Sequence, residues 1–196
     1  MTAEPTCVLA LDVSFTGAGV CGLVAQPDGT VEVQTRTVAS KPLGGTLAAR
    51  RQRITTHAAN VTGGVLAEWV DDADLVLIEG PSYGSKGSAV FDLAGLWWEV
   101  VRIVRAMDRP LVEISPSAVK KFATGKGTAD KVAVAVAVSK LWPDVDAKND
   151  NEWDALALAH IGAAHLGLAV PSRAHHASVL DRIAWPDNLP VIGGTQ

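Results

Sequence analysis

The stretch TCVLALDV at residues 6–13 decides the fold, because it is a nearly continuous run of β-prone apolar residues that contains an acid near its end. Such runs are typical of a strand buried on both faces of a sheet. Residues 74–80 (DLVLIEG) repeat the pattern and close on Glu79, as the first run closes on Asp12. A carboxylate there is costly unless it is paired or bound to a cation. Two such acids in one sheet favour a functional site over two solvated turns.

The remaining pattern around these two strands predicts an α/β fold. Residues 19–25 and 30–38 form a hairpin across the turn Gln26-Pro27-Asp28-Gly29, and residues 110–114 are a fifth strand. Apolar residues at helical spacing predict helices at residues 46–70, 89–107, 115–126, 129–141 and 151–168. This order predicts a central mixed five-stranded sheet flanked by helices, with the hairpin on one side and parallel crossovers on the other.

Length and composition predict one domain. The chain has 196 residues, of which 48% are hydrophobic and 19% charged, without a repeat or an internal linker. We assign residues 1–170 to the domain and residues 171–196 to a C-terminal tail, packed or partly mobile, because Pro186, Pro190 and Gly193-Gly194 interrupt any periodicity.

Charge and cysteine content exclude several classes of protein. The formal net charge of -4 argues against a uniformly basic nucleic-acid coat and against a polybasic membrane binder, so any nucleic-acid site is local. Cys7 and Cys21 are too few for a disulfide framework, lack zinc-site spacing, and suit a core. No apolar run approaches the roughly 18 residues of a membrane span. We therefore expect a soluble, reducing, cytoplasmic setting without a membrane partner.

A third acidic group lies at residues 150–159 (DNEWDALALA). On a helix, Asp150 and Asn151 share a face with Asp154, whereas Glu152 lies about 200° away around the axis and is the weaker ligand candidate. The alternative to a ligand role is helix capping, with acids favoured by the helix dipole, and it explains Asp150 and Glu152 well. It does not explain Asp154, which sits within the Ala and Leu stripe.

A set of carboxylates without Cys or His predicts hard-oxygen metal chemistry. Such ligands suit Mg²⁺, with Mn²⁺ as a substitute, rather than Zn²⁺. Two ions about 3.5 to 4 Å apart activate a water and stabilise the leaving oxygen of a phosphodiester. Phosphodiester hydrolysis is therefore the leading chemistry.

A local basic patch accompanies the acids. Five lysines fall near a single acid, Asp130, in a chain that is acidic elsewhere: Lys120, Lys121, Lys126, Lys131 and Lys140. Solvated helix faces are the alternative explanation. The turn Gly125-Lys126-Gly127 favours phosphate binding, because it exposes backbone amides beside a lysine.

Four collinear stretches, spread over residues 8–167, resemble the RuvC-type Holliday junction resolvases, in the style of their phage-encoded members. They are LALDVSFTGAGV (9–20), LVLIEGPSYG (75–84), ISPSAVKKFATGKGTADK (114–131) and NEWDALALAHIG (151–162). The resemblance implies a ribonuclease H-like fold, a homodimer, and paired Mg²⁺-dependent nicking of four-way DNA junctions, with two ions in each active site.

The resemblance also implies roles for individual residues. Asp12, Glu79 and Asp154 match three of the family's four metal-binding acids. The position of the fourth acid is Asn151 here, so either Asn151 is a weak ligand or Asp150 replaces it, which charge favours slightly.

Basic and aromatic positions of the family are matched as well. Lys120 and Lys131 match the basic residues near the scissile phosphate. Tyr83 resembles the aromatic that stacks on bases at the junction centre, although Ser82 stands nearer the family's position. Anchoring its own loop is the alternative role for Tyr83.

The sequence thus predicts a structure-selective endodeoxyribonuclease that leaves 5′-phosphate and 3′-hydroxyl ends. Two alternatives within the fold are a nuclease that also cuts flaps, other branched DNA or RNA/DNA hybrids, and a junction-binding protein without catalysis. Asp12-Val13-Ser14-Phe15-Thr16-Gly17 also resembles the first phosphate loop of actin-like ATPases, but those proteins need two such domains.

Other aromatic residues predict packing or assembly. Trp97 and Trp98 belong to a core or a dimer interface, with the core preferred for at least one of them. The five histidines lack a catalytic carboxylate pattern and are expected to be structural or exposed.

Overall fold

The computed structural model describes residues 4–63, 72–81 and 89–189. The strands are β1 Thr6–Asp12, β2 Ala18–Ala25, β3 Val31–Val38, β4 Leu75–Glu79 and β5 Leu111–Ile114. The helices are α1 Leu47–Gly63, α2 Ala89–Ala106, α3 Pro116–Thr124, α4 Lys131–Leu141, α5 Asp150–His165 and α6 Ala177–Leu180. Residues 64–70 of the first predicted helix and residues 190–196 of the tail lie outside the described residues.

The five strands form one mixed sheet in the order β3-β2-β1-β4-β5. β2 is antiparallel to both of its neighbours, β1 and β3, while β4 and β5 run parallel to β1. This is the predicted architecture. The parallel strands β1, β4 and β5 therefore bring their carboxyl ends to one edge of the sheet, where sites gather in α/β folds.

Alternation along the strands divides the core into two layers. Val8 and Ala10 of β1 belong to the layer under α3, α4 and α5, whereas Leu9 and Leu11 face α1 and α2. Cys7 and Cys21 are both buried in the core and are not joined by a disulfide, as the sequence predicts.

Helix α5 lies close against the sheet. A Cβ atom added at Gly162 would stand 2.4 Å from Leu77 Cδ1 and 2.8 Å from Val8 Cγ1, so glycine permits this approach. At the other end of the helix, a Cβ at Gly19 would stand 2.0 Å from the backbone oxygen of Asn151. These contacts seat the N-terminal turn of α5 over β2.

The segment after α5 folds back on the same layer. Val179 is buried, and Leu180, Ile183 and Trp185 pack against the core beside it. The helix α6 was not predicted, because four residues carry too little periodicity. Among the described residues, no helix is long and apolar enough to cross a membrane.

Candidate active site

Asp12 and Glu79 lie side by side at the carboxyl edge of the sheet. Leu11 is paired with Ile78 in the parallel register, so Asp12 and Glu79 are the next residues on neighbouring strands. Ala10 and Leu77, two residues before these acids, point into the layer covered by α5. Because side chains alternate, both carboxylates are on the face toward α5.

The main chain at Glu79 is held from the opposite face. Trp97 is 8% exposed and its indole Nε1 donates a hydrogen bond of 2.9 Å to the carbonyl oxygen of Glu79. Trp97 is therefore the core tryptophan, as predicted for at least one of the pair. It anchors the end of β4 where the sheet meets the acids.

Asp154, in the second turn of α5, completes a group of three electrostatically coupled acids. Burial, and then the charge of Asp154, raises the pKa of Asp12 to about 6. Burial, followed by the charges of Asp12 and Asp154, raises the pKa of Glu79 to about 8. Burial also raises the pKa of Asp154. The pKa of each acid is thus raised despite the lysines nearby, and a bound cation would provide further compensating charge.

Two lysines border the acids. Lys131 Nζ lies 3.4 Å from Asp154 Oδ2. Burial alone would lower the pKa of Lys131, but Asp154, Asp12 and Glu79 together raise it. The charge of Lys120 acts on Glu79 and Asp154 in the direction that lowers the pKa of each. The structure therefore brings Lys120 and Lys131 to the three acids.

The donor set fits a hard divalent cation. Within the described residues, no three Asp, Glu, His or Cys side chains are placed closely enough to hold a metal ion as they stand. This spacing has two causes: Lys131 is the ion-pair partner of Asp154, and the carboxylates repel one another. Partly buried carboxylates at an open sheet edge, without Cys or His among them, are nevertheless the donors that Mg²⁺ and Mn²⁺ select.

The two candidates for a fourth ligand differ in environment. Asp150 is exposed at the first turn of α5, and its charge contributes to the raised pKa of Asp154. Asn151 points toward the loop after β1, since a Cβ at Gly17 would stand 2.6 Å from its Nδ2. Of these two candidates, Asp150 acts on Asp154 through its charge, whereas the side chain of Asn151 lies beside Gly17.

Glu152 has a role that sequence reasoning missed. Its side chain accepts hydrogen bonds of 2.9 Å from Thr35 Oγ1, Thr37 Oγ1 and the backbone amide of Lys148, and the residue is 5% exposed. The helix cap is Asn149, whose side chain accepts from the amides of Asn151 and Glu152. The capping residue is thus Asn149 and not Asp150, whereas both Asp150 and Glu152 lie in the first turn, where the helix dipole favours acids. Glu152 joins the N-terminal turn of α5 to β3.

The turn after α3 also differs from expectation. The amide of Gly125 donates to Lys121 O at 2.8 Å, and the amide of Lys126 donates to Thr124 Oγ1 at 3.1 Å. These amides are therefore engaged within the turn and do not form a phosphate nest, while the Lys126 side chain is exposed. Ser82 and Tyr83 lie outside the described residues.

Comparison with known proteins shows a sequence relative and a shared fold. No protein-family model matches the chain. The crossover junction endodeoxyribonuclease RuvC of Paenarthrobacter aurescens (strain TC1) is 27% identical over 184 residues, which cover 92% of this chain and 93% of the relative.

Solved structures of resolvases have the same fold. The structure of Thermus thermophilus RuvC matches with a TM-score of 0.61 and 20% identity over 85% of this chain and all of that chain. The structure of the same protein in complex with a Holliday junction substrate matches with a TM-score of 0.62 and 19% identity over 85% of this chain and 99% of that chain. The structure of the yeast mitochondrial Holliday junction resolvase Ydc2 matches with a TM-score of 0.54 and 11% identity over 81% of this chain and 78% of that chain. The resemblance to RuvC-type resolvases that the sequence predicted is confirmed, and the chain has their ribonuclease H-like fold.

Proposed function

We propose that this chain is a metal-dependent endonuclease that resolves four-way DNA junctions by phosphodiester hydrolysis, leaving 5′-phosphate and 3′-hydroxyl nicks. The observation that carries the proposal is the group of three coupled acids, Asp12, Glu79 and Asp154, at the carboxyl edge of a RuvC-like sheet. The likeness to a RuvC crossover junction endodeoxyribonuclease over 92% of the chain supports the substrate class.

Asp12, Glu79 and Asp154 would hold the metal, with Asp150 or Asn151 as the fourth ligand. When bound, two Mg²⁺ ions, or Mn²⁺ in their place, supply activation of the attacking water and stabilisation of the leaving oxygen. The chain provides the acids already desolvated, and Trp97 and Glu152 hold the ends of β4 and α5 that carry two of them. Such preorganisation lowers the cost of assembling the charged site.

Lys120 and Lys131 are placed to bind the scissile phosphate. Both cations act electrostatically on the acids, and Lys131 is 58% exposed, so its ammonium group can exchange Asp154 for a phosphate oxygen. Lys126, exposed on the turn after α3, adds positive charge for a DNA arm. Tyr83, or Ser82 in its place, supplies the contact with unstacked bases in this proposal.

Paired cuts require two active sites, and α2 offers a surface for a homodimer. Phe91 and Trp98 are 82% and 65% exposed on this helix. They are seven residues apart, two helical turns, and so lie on one face. Exposed aromatic residues of this kind mark association surfaces. We therefore propose that two copies associate through α2. The cytoplasmic location stays a prediction.

Cleavage of labelled substrates tests the proposal. A four-way junction, a flap, a linear duplex and an RNA/DNA hybrid are each incubated with Mg²⁺, with Mn²⁺ and with chelator. We expect symmetric nicks confined to the junction that are lost with chelator. Equal cutting of flaps or hybrids would indicate a broader nuclease of the same fold, and tight binding without cutting would indicate a junction-binding protein.

A further inference from the structure

A cavity of about 380 Å³ lies beside the candidate active site, between α3 and the segment after α5. Its walls come from the end of β5, the first half of α3, the turn at Gly127 and, in the segment after α5, Val179 and residues 182–184. The polar groups in the lining are contributed by Glu113, Ser115, Ser117, Lys121 and Arg182. The volume is in the range of small-molecule and nucleotide sites.

The cavity lies at the same edge of the sheet as the acids. Ile114, which lines it, is paired with Glu79 across the β4–β5 ladder. Lys120 and Lys121 are consecutive on α3, so their side chains diverge by about 100° around the helix. Lys120 acts on Glu79 and Asp154, whereas Lys121 lines the cavity. One helix thus presents neighbouring lysines to the active site and to the cavity.

The charge of the cavity suits an anion. Lys121 and Arg182 enter none of the ion pairs or side-chain hydrogen bonds found in the described part of the chain. Glu113 is the single acid of the lining, so two cations outweigh it. Ser115 and Ser117 also line the cavity, with their hydroxyls 3.2 Å apart, so this pair adds a hydrogen-bond donor.

We infer that this cavity binds a phosphate that flanks the scissile phosphate on the cleaved DNA strand, held by Lys121 of α3 and Arg182 of the C-terminal segment. The inference rests on the proposed nuclease function and deepens it, because it makes residues 179–184 part of the DNA-binding surface. A strand that runs past the acids along α3 meets Lys120 first and Lys121 next.

Junction affinity against salt concentration tests the inference. Lys121→Ala and Arg182→Ala are compared with Arg36→Ala, which removes an exposed arginine from the outer strand β3. Binding is measured in chelator, which prevents cutting. Each cavity variant is expected to bind the junction several-fold more weakly and to reduce the slope of log K against log salt by about 1, as for one lost phosphate contact. Arg36→Ala is expected to match the wild-type chain.

Replacing single phosphates of the DNA by an uncharged linkage identifies the phosphate that the cavity binds. Methylphosphonates replace, one at a time, the phosphates that flank the cut. At one position, the effect of Arg182→Ala should disappear, since the cation then has no charge to meet. The inference is overturned if wild-type protein cuts junctions while both cavity variants bind like Arg36→Ala, or if the effect of Arg182→Ala persists at every position. Wild-type protein that neither binds nor cuts branched DNA would overturn the proposed function as well.

Discussion

At the scale of single residues, the proposed chemistry depends on carboxylates that folding buries and that the neighbouring lysines compensate only in part. Asp12 and Glu79 end apolar strands, and their pKa values rise to about 6 and about 8 because burial and mutual repulsion disfavour the charged forms. Both acids were predictable from sequence, since each interrupts an apolar run. The fourth ligand was not, because neighbouring Asp150 and Asn151 differ in orientation, which one-dimensional spacing does not resolve.

We predict that Asp150, rather than Asn151, contributes to metal binding. Asp150→Asn should raise several-fold the Mg²⁺ concentration needed for half-maximal cleavage, because the charge of Asp150 acts on Asp154. Asn151→Ala should change it little, since the Asn151 side chain lies beside Gly17. Metal titrations of junction cleavage with both variants make the comparison. The opposite ranking would assign the fourth position to Asn151.

At the scale of elements, the site depends on how α5 is attached to the sheet. The strands and most helices were predictable from apolar periodicity, and the structure confirms the predicted mixed sheet. The link from Glu152 to Thr35 and Thr37 was not predictable, because the partners are more than 100 residues apart in sequence. A carboxylate in a first helical turn looks the same in sequence whether it faces solvent or a distant strand.

We predict that Glu152→Ala destabilises the protein and weakens catalysis together. The change removes the acceptor of two partly buried threonine hydroxyls and of the amide of Lys148, although Thr37 keeps its hydrogen bond to Asn149, and we expect a cost of about 2 kcal/mol in the free energy of unfolding. It also loosens the turn that carries Asp154. Urea unfolding and single-turnover cleavage measure the two effects.

Glu32→Ala, an exposed acid on the same strand β3, is the control for Glu152→Ala. It should leave both stability and cleavage near the wild-type values. A Glu152→Ala protein that is as stable and as active as this control would show that the link does not position α5.

At the scale of the whole molecule, the C-terminal segment is joined to the domain through histidines. His160 Nε2 donates a hydrogen bond of 2.7 Å to Pro171 O, and its Nδ1 accepts one of 3.2 Å from the Trp142 indole N–H. The ring of His176 stacks on Phe122 with ring centroids 3.8 Å apart. His160 and His176 are buried. The histidines were expected to be structural or exposed, and this contact set explains why two of them are buried.

We predict that this histidine cluster makes stability depend on pH. Burial lowers the pKa of His160 and of His176 to about 4, and Arg173 and the neighbouring histidines act in the same direction on His176. The unfolded chain therefore binds the proton more readily. The contribution of the cluster is complete above about pH 6.5 and is lost progressively as the pH falls toward 4.

Urea unfolding between pH 4.5 and 7.5 measures this dependence. The raised pKa values of Asp12 and Glu79 make the folded state more stable as the pH falls, which is the opposite pH dependence. The difference in unfolding free energy between wild-type protein and His176→Phe therefore isolates the contribution of His176. His176→Phe should flatten the loss of stability at acid pH. An unchanged pH profile would contradict the role of His176.

A second whole-molecule prediction concerns assembly. Trp98→Glu should convert a dimer to a monomer without unfolding it, because Trp98 is 65% exposed. Trp97→Ala, at the buried neighbour, should instead lower stability. Sedimentation and thermal melting separate the two variants. A wild-type chain that sediments as a monomer while bound to a junction would refute the dimer through α2.

The central claim is that Asp12, Glu79 and Asp154 form the hydrolytic centre. The most direct measurement is single-turnover cleavage of a labelled four-way junction by Asp12→Asn, with junction affinity measured in parallel. We predict a loss of cleavage by about 10²- to 10³-fold or more, with affinity kept or increased because carboxylate repulsion against phosphate is relieved. Cleavage by Asp12→Asn at the wild-type rate would contradict the account.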